Sequence, residues 1–430
     1  MTGLHRRTVL SGSLATFAVA LLGACTGETP PAEPEATPPA PPSKPATLWT
    51  ADNITTLVPR MPTRKSGISR PVPPLPAYDV ALGILGTVVD RYASDPKNPW
   101  AIAHGVLARG LDFRLADGTE AITHVFSTYA EPRVVGSHTL VGFPTQQGDV
   151  LVEPHSDLIL KNFAEVGLSP EASYTVAGRT VTAADLYRYT LLKTYLVAEK
   201  NHSSFKSPND IPWALQALVT WAPEDEVQWL ALDRTPMDLD FLSSFLAAVL
   251  TQESAFLFEK MQRDQPFEKQ GQNLYGYTCG GAHLVQGAAY AVARAFGSAK
   301  DRKAVEAQVP LWLWRLPGEL QLYDEVLKRN PAERRRLLAQ RLKFLGHFLE
   351  TMAKMQAMGL YTPTEAQATL IEGAAQNLTL TVDALHKTGV YDQLDTIRSK
   401  DEALYLDLIG DSCHAIRGLE LVLGRQTVSW

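Results

Sequence analysis

Apolar residues recur at three- and four-residue spacing through most of the chain from residue 77 to residue 423. This spacing places them on one face of an α-helix. Strand-like alternation is confined to 137–143 and 174–181, which we interpret as small β-hairpins or loop insertions. The pattern therefore predicts an all-α fold. One set of predicted helices covers 77–93, 182–198, 239–250, 332–345 and 363–387.

A second set of helices shares short sequence patterns. The stretches 98–110 and 211–222 carry Pro-Trp-Ala, and proline is favoured in the first turn of a helix. The stretches 281–292 and 412–423 share a histidine followed four residues later by a glycine. His283, His347 and His414 follow one another at intervals of 64 and 67 residues. Together with 153–167 and 344–355, these stretches give six similar helices.

Six inner helices, each paired with an outer one, bury their apolar faces only when neighbouring pairs pack together. This organisation resembles the α/α toroids, a superfamily that includes terpenoid cyclases, six-hairpin glycosidases and lanthionine cyclases. The resemblance covers residues 76–430 and implies a toroid of about six helical hairpins with small β-hairpin insertions. An open helical solenoid is the alternative.

The first 24 residues have the pattern of an export signal, with a basic start, an apolar run and small residues at the end. Leu22-Gly23-Ala24-Cys25 resembles the bacterial lipobox, which implies that Cys25 is lipidated and becomes the mature N-terminus. Arg6-Arg7 resembles a twin-arginine signal, so both the general and the twin-arginine export routes stay open. An ordinary cleaved signal is the alternative. We expect a membrane-anchored lipoprotein of the outer membrane or cell surface.

Residues 25–48 form a proline-rich linker, since eight of the sixteen residues from 30 to 45 are proline. Residues 49–75 are still rich in proline and arginine, and we expect them to wrap the surface of the domain at 76–430. The formal net charge is −6, and removing Arg6 and Arg7 with the signal gives −6 − 2 = −8. This charge, without a long basic run, argues against nucleic acid as a partner. The expected partners are the membrane, through the N-terminal lipid, and a small molecule, glycan or peptide.

Histidines stand at or near the predicted starts of several inner helices. In a toroid these starts gather at one mouth, where helix N-termini favour anionic and polar ligands. Histidine adds a group that titrates near neutral pH. A structural role, in which each ring packs or bonds a carbonyl, is the alternative for any one of them. The histidines concerned are His104, His155, His283, His347 and His414, and we take His104, His283 and His347 as catalytic candidates.

Cys279 and Cys413 permit three interpretations: a disulfide, a metal site, or two unrelated buried thiols. The metal interpretation combines Cys279 and His283, four residues apart, with the adjacent Cys413 and His414. The order Ala103-His104-Gly105, Cys279-Gly280-Gly281 and Cys413-His414 also resembles that of the lanthionine cyclase motifs. That resemblance implies zinc held by Cys279, Cys413 and His414, with His104 as the acid/base group.

Carboxylates and aromatic residues complete the candidate site. A glycosidase-like toroid uses paired carboxylates at its mouth, and Glu153, Asp157 and Asp411 are the candidates. Aromatic side chains can line a cavity for a sugar or an apolar ligand. The ligand-binding candidates are His155, Trp100, Trp213, Tyr275 and Tyr277.

Two functions remain open from the sequence. The first is a module that binds a glycan, peptide or lipid at the toroid mouth. The alternative is a hydrolase or lyase that acts on envelope glycans or peptides, assisted by zinc. An enzyme requires titratable groups with shifted pKa values converging in one cleft, whereas a binding module requires an aromatic or apolar groove without them.

Overall fold

The computed structural model describes residues 47–206, 208–223, 227–269 and 279–430. Helices contain 60% of the residues and strands 11%, which confirms the predicted all-α character. The helices are α1 (Pro76–Val88), α2 (Pro99–Arg109), α3 (Ala121–Tyr129), α4 (Leu158–Glu165), α5 (Ala183–Lys193), α6 (Ile211–Trp221), α7 (Leu239–Gln262), α8 (Ala282–Ala293), α9 (Ala299–Glu306), α10 (Gln308–Arg329), α11 (Arg334–Ala357), α12 (Glu365–Lys387), α13 (Leu394–Lys400) and α14 (Glu402–Val422).

The strands are short and form only small sheets. Both stretches of alternating pattern belong to antiparallel hairpins, made by β3 with β4 and by β7 with β8. The strands are β1 (Leu48–Trp49), β2 (Lys65–Ser66), β3 (Glu131–Val135), β4 (His138–Gly142), β5 (Gln146–Gln147), β6 (Val150–Leu151), β7 (Ser173–Val176), β8 (Arg179–Thr182), β9 (Leu196–Val197), β10 (His202–Ser203), β11 (Gln228–Leu230), β12 (Pro236–Asp238) and β13 (Val428–Ser429).

Six helices are buried along most of their length or along their C-terminal half, and we call them the inner helices: α2, α4, α6, α8, α11 and α14. Each packs against the next in this order, and α14 packs back against α2. Other helices pack against them: α3 against α2, α5 against α6, α7 against α8 and α12 against α11.

Two of the inner helices differ from the sequence prediction. The stretches 332–345 and 344–355 form the single helix α11, which continues through Gly346 at their junction. Helix α14 begins at Glu402, well before the predicted start at 412. His347 and His414 therefore lie in the middle of long helices rather than at helix starts.

The segment that precedes α1 lies across the C-terminal ends of the inner helices. The Arg60 amide donates to the Trp221 carbonyl at the end of α6, the Ser66 hydroxyl to Ala357 at the end of α11, and the Val72 amide to Val422 at the end of α14. Strand β2 also pairs with β13 near the C-terminus. This segment covers one end of the inner helices and leaves the other end as the place for a site.

Helix α7 is, among the described residues, the one helix whose length and composition would allow it to cross a membrane. Half of its most apolar 18-residue window is buried against the rest of the protein. Core helices of globular proteins often share this composition, so the finding is weak evidence for a membrane span.

Candidate functional site

A cavity of about 230 Å³ lies at the end of the inner helices opposite to the segment 60–72. The loop before α4, the start of α6, the start of α8 and the middle of α11 and α14 all contribute to it. Five of the nine histidines that follow residue 25 meet there. The lining residues are Trp100, His104, His155, Asn209, Trp213, Cys279, His283, Lys343, His347, Asp407, Gly410, Asp411 and His414.

Glycines allow the helices around this cavity to approach closely. A Cβ atom on Gly418 would lie 2.6 Å from the Gly346 carbonyl oxygen, so α11 and α14 touch through their backbones. A Cβ atom on Gly287 would lie 2.6 Å from the Pro212 carbonyl oxygen in α6. The repeated histidine-to-glycine spacing thus has a physical reason. The glycine lies one turn below the histidine and lets the neighbouring helix pack against the same face.

Three histidine rings form the centre of the site. One ring nitrogen each from His283, His347 and His414 lies within 4.8 Å of the others. The ring centroids of His347 and His414 are 4.0 Å apart, and those of His283 and His347 are 4.9 Å apart. Within the described part of the chain this is the one group of three or more side chains with the geometry of metal ligands.

Hydrogen bonds at Nδ1 determine which nitrogen of each histidine ring is free. Nδ1 of His347 lies 2.9 Å from the Lys343 carbonyl oxygen, and Nδ1 of His414 lies 2.7 Å from Glu350 Oε2. Nδ1 of His104 lies 2.7 Å from the Trp100 carbonyl oxygen. These oxygens only accept hydrogen bonds, so each Nδ1 carries the proton and each Nε2 keeps its lone pair.

Burial keeps the rings of His104, His283 and His347 neutral. Desolvation lowers the pKa of His104, His283 and His347 well below the ordinary value, and neighbouring histidines lower it further. The neutral imidazole is the form that binds metal. At neutral pH these side chains therefore need no deprotonation before they coordinate an ion.

A buried network of charges lies behind His414. Glu350 and Glu165 both form ion pairs with Lys354 Nζ, at 2.6 and 2.8 Å. Lys161 and Arg417 each lie 3.4 Å from Glu165. Burial raises the Glu165 pKa, but the charges of Lys354, Lys161 and Arg417 outweigh this effect and lower it to about 2. The sequence pattern did not reveal these residues, because charged positions on a helix usually indicate its solvent face.

Asp411 supplies a carboxyl group at the cavity wall. It is buried, its Oδ2 has no hydrogen-bond partner among the described residues, and its Oδ1 lies 3.8 Å from Lys343 Nζ. Lys343 also pairs with Asp407 at 2.8 Å. Burial and the negative charge of Asp407 raise the Asp411 pKa well above its ordinary value, although Lys343 opposes this. Lys343 thus pairs with Asp407, and the raised pKa of Asp411 favours its neutral form.

Aromatic rings also line the cavity. The His155 ring stacks on Trp213, with 3° between the ring planes and 5.1 Å between centroids. Trp213 in turn lies 4.2 Å from the His283 ring. Trp100 lies 4.1 Å from His104 and fills the space above Gly410, where a Cβ atom would lie 2.6 Å from its ring. A flat, rigid surface therefore borders the histidines.

Other predicted site residues lie away from the cavity. Glu153 is buried and accepts a hydrogen bond from the Ile159 amide, so it caps α4. Burial raises its pKa to about 8, with Lys193 opposing and Asp157 adding to the rise. Asp157 pairs with Lys193 at 2.7 Å and accepts from Thr190 at 2.9 Å. Both acids thus stabilise the start of α4.

The two cysteines are separate free thiols. Cys279 lines the cavity, whereas Cys413 is buried in the apolar core. Adjacent residues of a helix face different directions, which explains why Cys413 does not accompany His414 into the cavity. The histidine group contains neither Cys279 nor Cys413, which the metal prediction included, and contains His347, which the sequence suggested as catalytic but not as a ligand. Tyr275, Tyr277 and Cys25 lie outside the described residues.

Comparisons with protein-family models, with curated proteins and with solved structures found no match to this chain.

Proposed function

We propose that this protein is an exported, membrane-anchored enzyme that uses a histidine-held zinc ion to hydrolyse, or to cleave by elimination, a glycan or peptide of the cell envelope. The observation that carries the proposal is the group of His283, His347 and His414, whose ring nitrogens converge inside an open cavity. Titratable groups with shifted pKa values meet in one cleft, which is the feature expected of an enzyme rather than of a binding module.

The donor set fits zinc. Imidazole nitrogen suits zinc and copper, and a catalytic zinc site commonly has three protein ligands and one open position. Tetrahedral zinc with bonds of about 2.1 Å places its ligands about 3.4 Å apart, closer than the 4.8 Å within which the ring nitrogens lie here, so the rings would approach one another on binding. The contact of His414 with Glu350 is the arrangement that fixes the orientation of zinc-bound histidines. Zinc bound there would supply an activated water molecule and polarise a carbonyl or glycosidic oxygen.

Side chains of the cavity would transfer the proton and bind the ligand. Asp411 is the proton-transfer group in this proposal, because it is a buried carboxyl group on the cavity wall with one oxygen free of partners among the described residues. Trp213 and Trp100 offer ring faces on which a sugar or an apolar side chain stacks. His104 is a further base, since its Nδ1 is already engaged by the Trp100 carbonyl.

The fold and the location belong to the same proposal. Each of the six inner helices packs against the next, and α14 packs back against α2. This closed series of contacts supports an α/α toroid rather than an open solenoid. The lipobox-like Leu22-Gly23-Ala24-Cys25 and the proline-rich linker support a lipid anchor and a spacer. The net negative charge leaves nucleic acid outside the proposed ligands.

The test combines metal content with turnover. Mature protein purified without chelator should contain about one equivalent of zinc, and cell-wall fragments incubated with it should yield products visible by mass spectrometry. His347→Gln should lose both the zinc and the products. His386→Gln, at an exposed position of α12, should keep both.

Asp411→Asn separates the metal site from the chemistry. It should keep zinc and lower the rate about 100-fold or more. The proposal fails if the zinc content of His347→Gln equals that of the unchanged protein. It also fails if the zinc-loaded protein binds the fragments but leaves them intact.

A further inference from the structure

The charges behind the cavity do not balance. The buried side chains of Lys161, Lys354 and Arg417 carry three positive charges, against two negative charges on Glu165 and Glu350, so the sum is 3 − 2 = +1. All five side chains are at most 4% exposed. Because an uncompensated buried charge is costly, a protein that keeps one commonly does so for a partner of opposite sign.

Lys161 is the cation with the weakest compensation. Its ammonium group makes no hydrogen bond within the described residues, and its nearest carboxylate oxygen, on Glu165, is 3.4 Å away. Glu165 already accepts from Lys354 and Gln216, each at 2.8 Å. The ammonium group lies 5.2 Å from the centre of the Trp213 ring, directly behind the cavity wall.

The charge of Lys161 reaches the cavity itself. Its positive charge is among the causes that lower the pKa of His104 and of His283 on the cavity wall. Lys161 itself has its pKa lowered to about 8, first by burial and then by Lys354. A negative group placed among the histidines would therefore be attracted to it.

The cavity wall offers hydrogen-bond donors and little negative charge. Nε1 of Trp213 is buried without an acceptor among the described residues. Helices α6 and α8 begin at the cavity, with Gly280 and Gly281 in the left-handed region just before α8, and the positive ends of the two helix dipoles favour an anion. Of the acids that line the cavity, Asp407 lies 2.8 Å and Asp411 3.8 Å from Lys343 Nζ, and burial raises the pKa of Asp411, which favours its neutral form.

From this charge distribution we infer that the cavity recognises an oxyanion, a carboxylate or phosphate group of its ligand, with Lys161 as the cation that selects it from behind the wall. This inference rests on the cavity of the proposed function and names the ligand chemistry that it takes. A neutral ligand would leave the positive charge uncompensated, and a cationic one would be repelled by it. Zinc would add two further positive charges, so an anionic ligand becomes more favourable with the metal bound, not less.

Matched small probes test the charge requirement directly. Acetate and acetamide have nearly the same shape but differ in charge, and inorganic phosphate represents the second source of an oxyanion. Binding is measured by calorimetry on the mature protein, both zinc-loaded and after chelation. Acetate should bind at least about fivefold more tightly than acetamide in both forms. Tighter binding of phosphate than of acetate would assign the oxyanion to a phosphorylated ligand, and the reverse would assign it to a carboxylate.

Lys161→Met keeps the length of the side chain but removes its charge. The substitution should change acetate binding and zinc binding in opposite directions. Acetate should bind roughly fivefold more weakly, whereas zinc should bind roughly fivefold more tightly because a repelling charge has gone. Lys387→Met, which removes an exposed lysine on α12, should change neither. A purely structural lysine would instead weaken both acetate and zinc together with the thermal stability, and that result would overturn the inference.

Equal binding of acetate and acetamide to the unchanged protein would also overturn it, and this comparison needs no variant to fold. The zinc measurement keeps the two proposals separate. Acetate selectivity in protein that binds no zinc would support the oxyanion site and refute the metal site. Zinc binding without selectivity for acetate over acetamide would support the metal site and refute the oxyanion site.

Discussion

His414 Nδ1 lies 2.7 Å from Glu350 Oε2, and Glu350 is held in turn by Lys354 at 2.6 Å. This contact orients the His414 ring, one nitrogen of which lies within 4.8 Å of a ring nitrogen of His283 and of His347. The carboxylate also makes the ring a better electron donor. The buried Glu350 side chain, which lies behind His414, should therefore affect the metal affinity of the proposed site.

Glu350→Gln should weaken zinc binding by about 10- to 100-fold while leaving the three histidines in place. The amide keeps the shape but presents no charge to His414 or Lys354. Competition with a chromophoric chelator measures the affinity, and Glu259→Gln, at an exposed ion pair with Arg263, is the control. An unchanged affinity in Glu350→Gln would show that the contact is structural alone.

The sequence predicted the scaffold of the site better than its chemistry. The apolar spacing located the inner helices around His104, Trp213, His283 and His414, because their cavity-facing and core-facing residues follow the helical period. Their convergence could be proposed only through the repeated histidine-to-glycine pattern. The close contacts at Gly346 and Gly418 that produce it depend on neighbours distant in sequence.

The buried charges could not be recognised in the sequence. Lys161 and Glu165, four residues apart, have the spacing of an exposed ion pair on a helix surface, yet both are fully buried. Only the contacts with Lys354 on α11 and Arg417 on α14 reveal them as an interior network. Cys413 lies in the apolar core although it is adjacent to His414 in sequence, because successive residues of a helix face different directions.

Gly418→Ala tests whether the contact between α11 and α14 positions the histidines. The new methyl group would lie 2.6 Å from the Gly346 carbonyl oxygen and 2.9 Å from the Glu350 amide nitrogen, so the two helices must separate. We expect a loss of about 1–3 kcal/mol in the free energy of unfolding and a weaker zinc affinity.

Gly373→Ala is the matched control for this change. Gly373 lies within α12 and has open space where its Cβ atom would be, so alanine should stabilise the protein by about 0.5–1 kcal/mol. Urea unfolding measures both variants. Equal effects of the two substitutions would contradict the proposed role of the helix contact.

The thiols give a second check on the site. Burial raises the pKa of both Cys279 and Cys413, so both should react slowly with a thiol reagent in the native protein. Cys279 lines the cavity, and its reaction should become slower still when zinc is added. Cys413 should react only after unfolding, and Cys413→Ser should leave the native rate unchanged. Unreduced, denatured protein without these two reactive thiols would instead indicate a disulfide.

His104 should make the stability of the zinc-free protein depend on pH. Burial lowers its pKa well below 6.5 in the folded state, whereas the unfolded chain keeps the ordinary value of about 6.5. Above pH 6.5 the ring is neutral in both states and contributes no pH dependence. Below pH 6.5 the unfolded state gains the proton more readily, so the stability falls as the pH falls, by on the order of 1 kcal/mol at pH 5.5.

His104→Gln removes this dependence, because the amide does not titrate and can still donate to the Trp100 carbonyl. The buried acids Glu153 and Asp411, whose pKa values are raised, act in the opposite sense but are common to both proteins. The difference in unfolding free energy between the unchanged protein and the variant should therefore shrink by on the order of 1 kcal/mol from pH 7.5 to pH 5.5. Urea unfolding in chelator at both pH values measures it. A difference that stays constant would mean that His104 takes up its proton in the folded cavity as readily as in the unfolded chain, and would remove the basis for treating the ring as a neutral base.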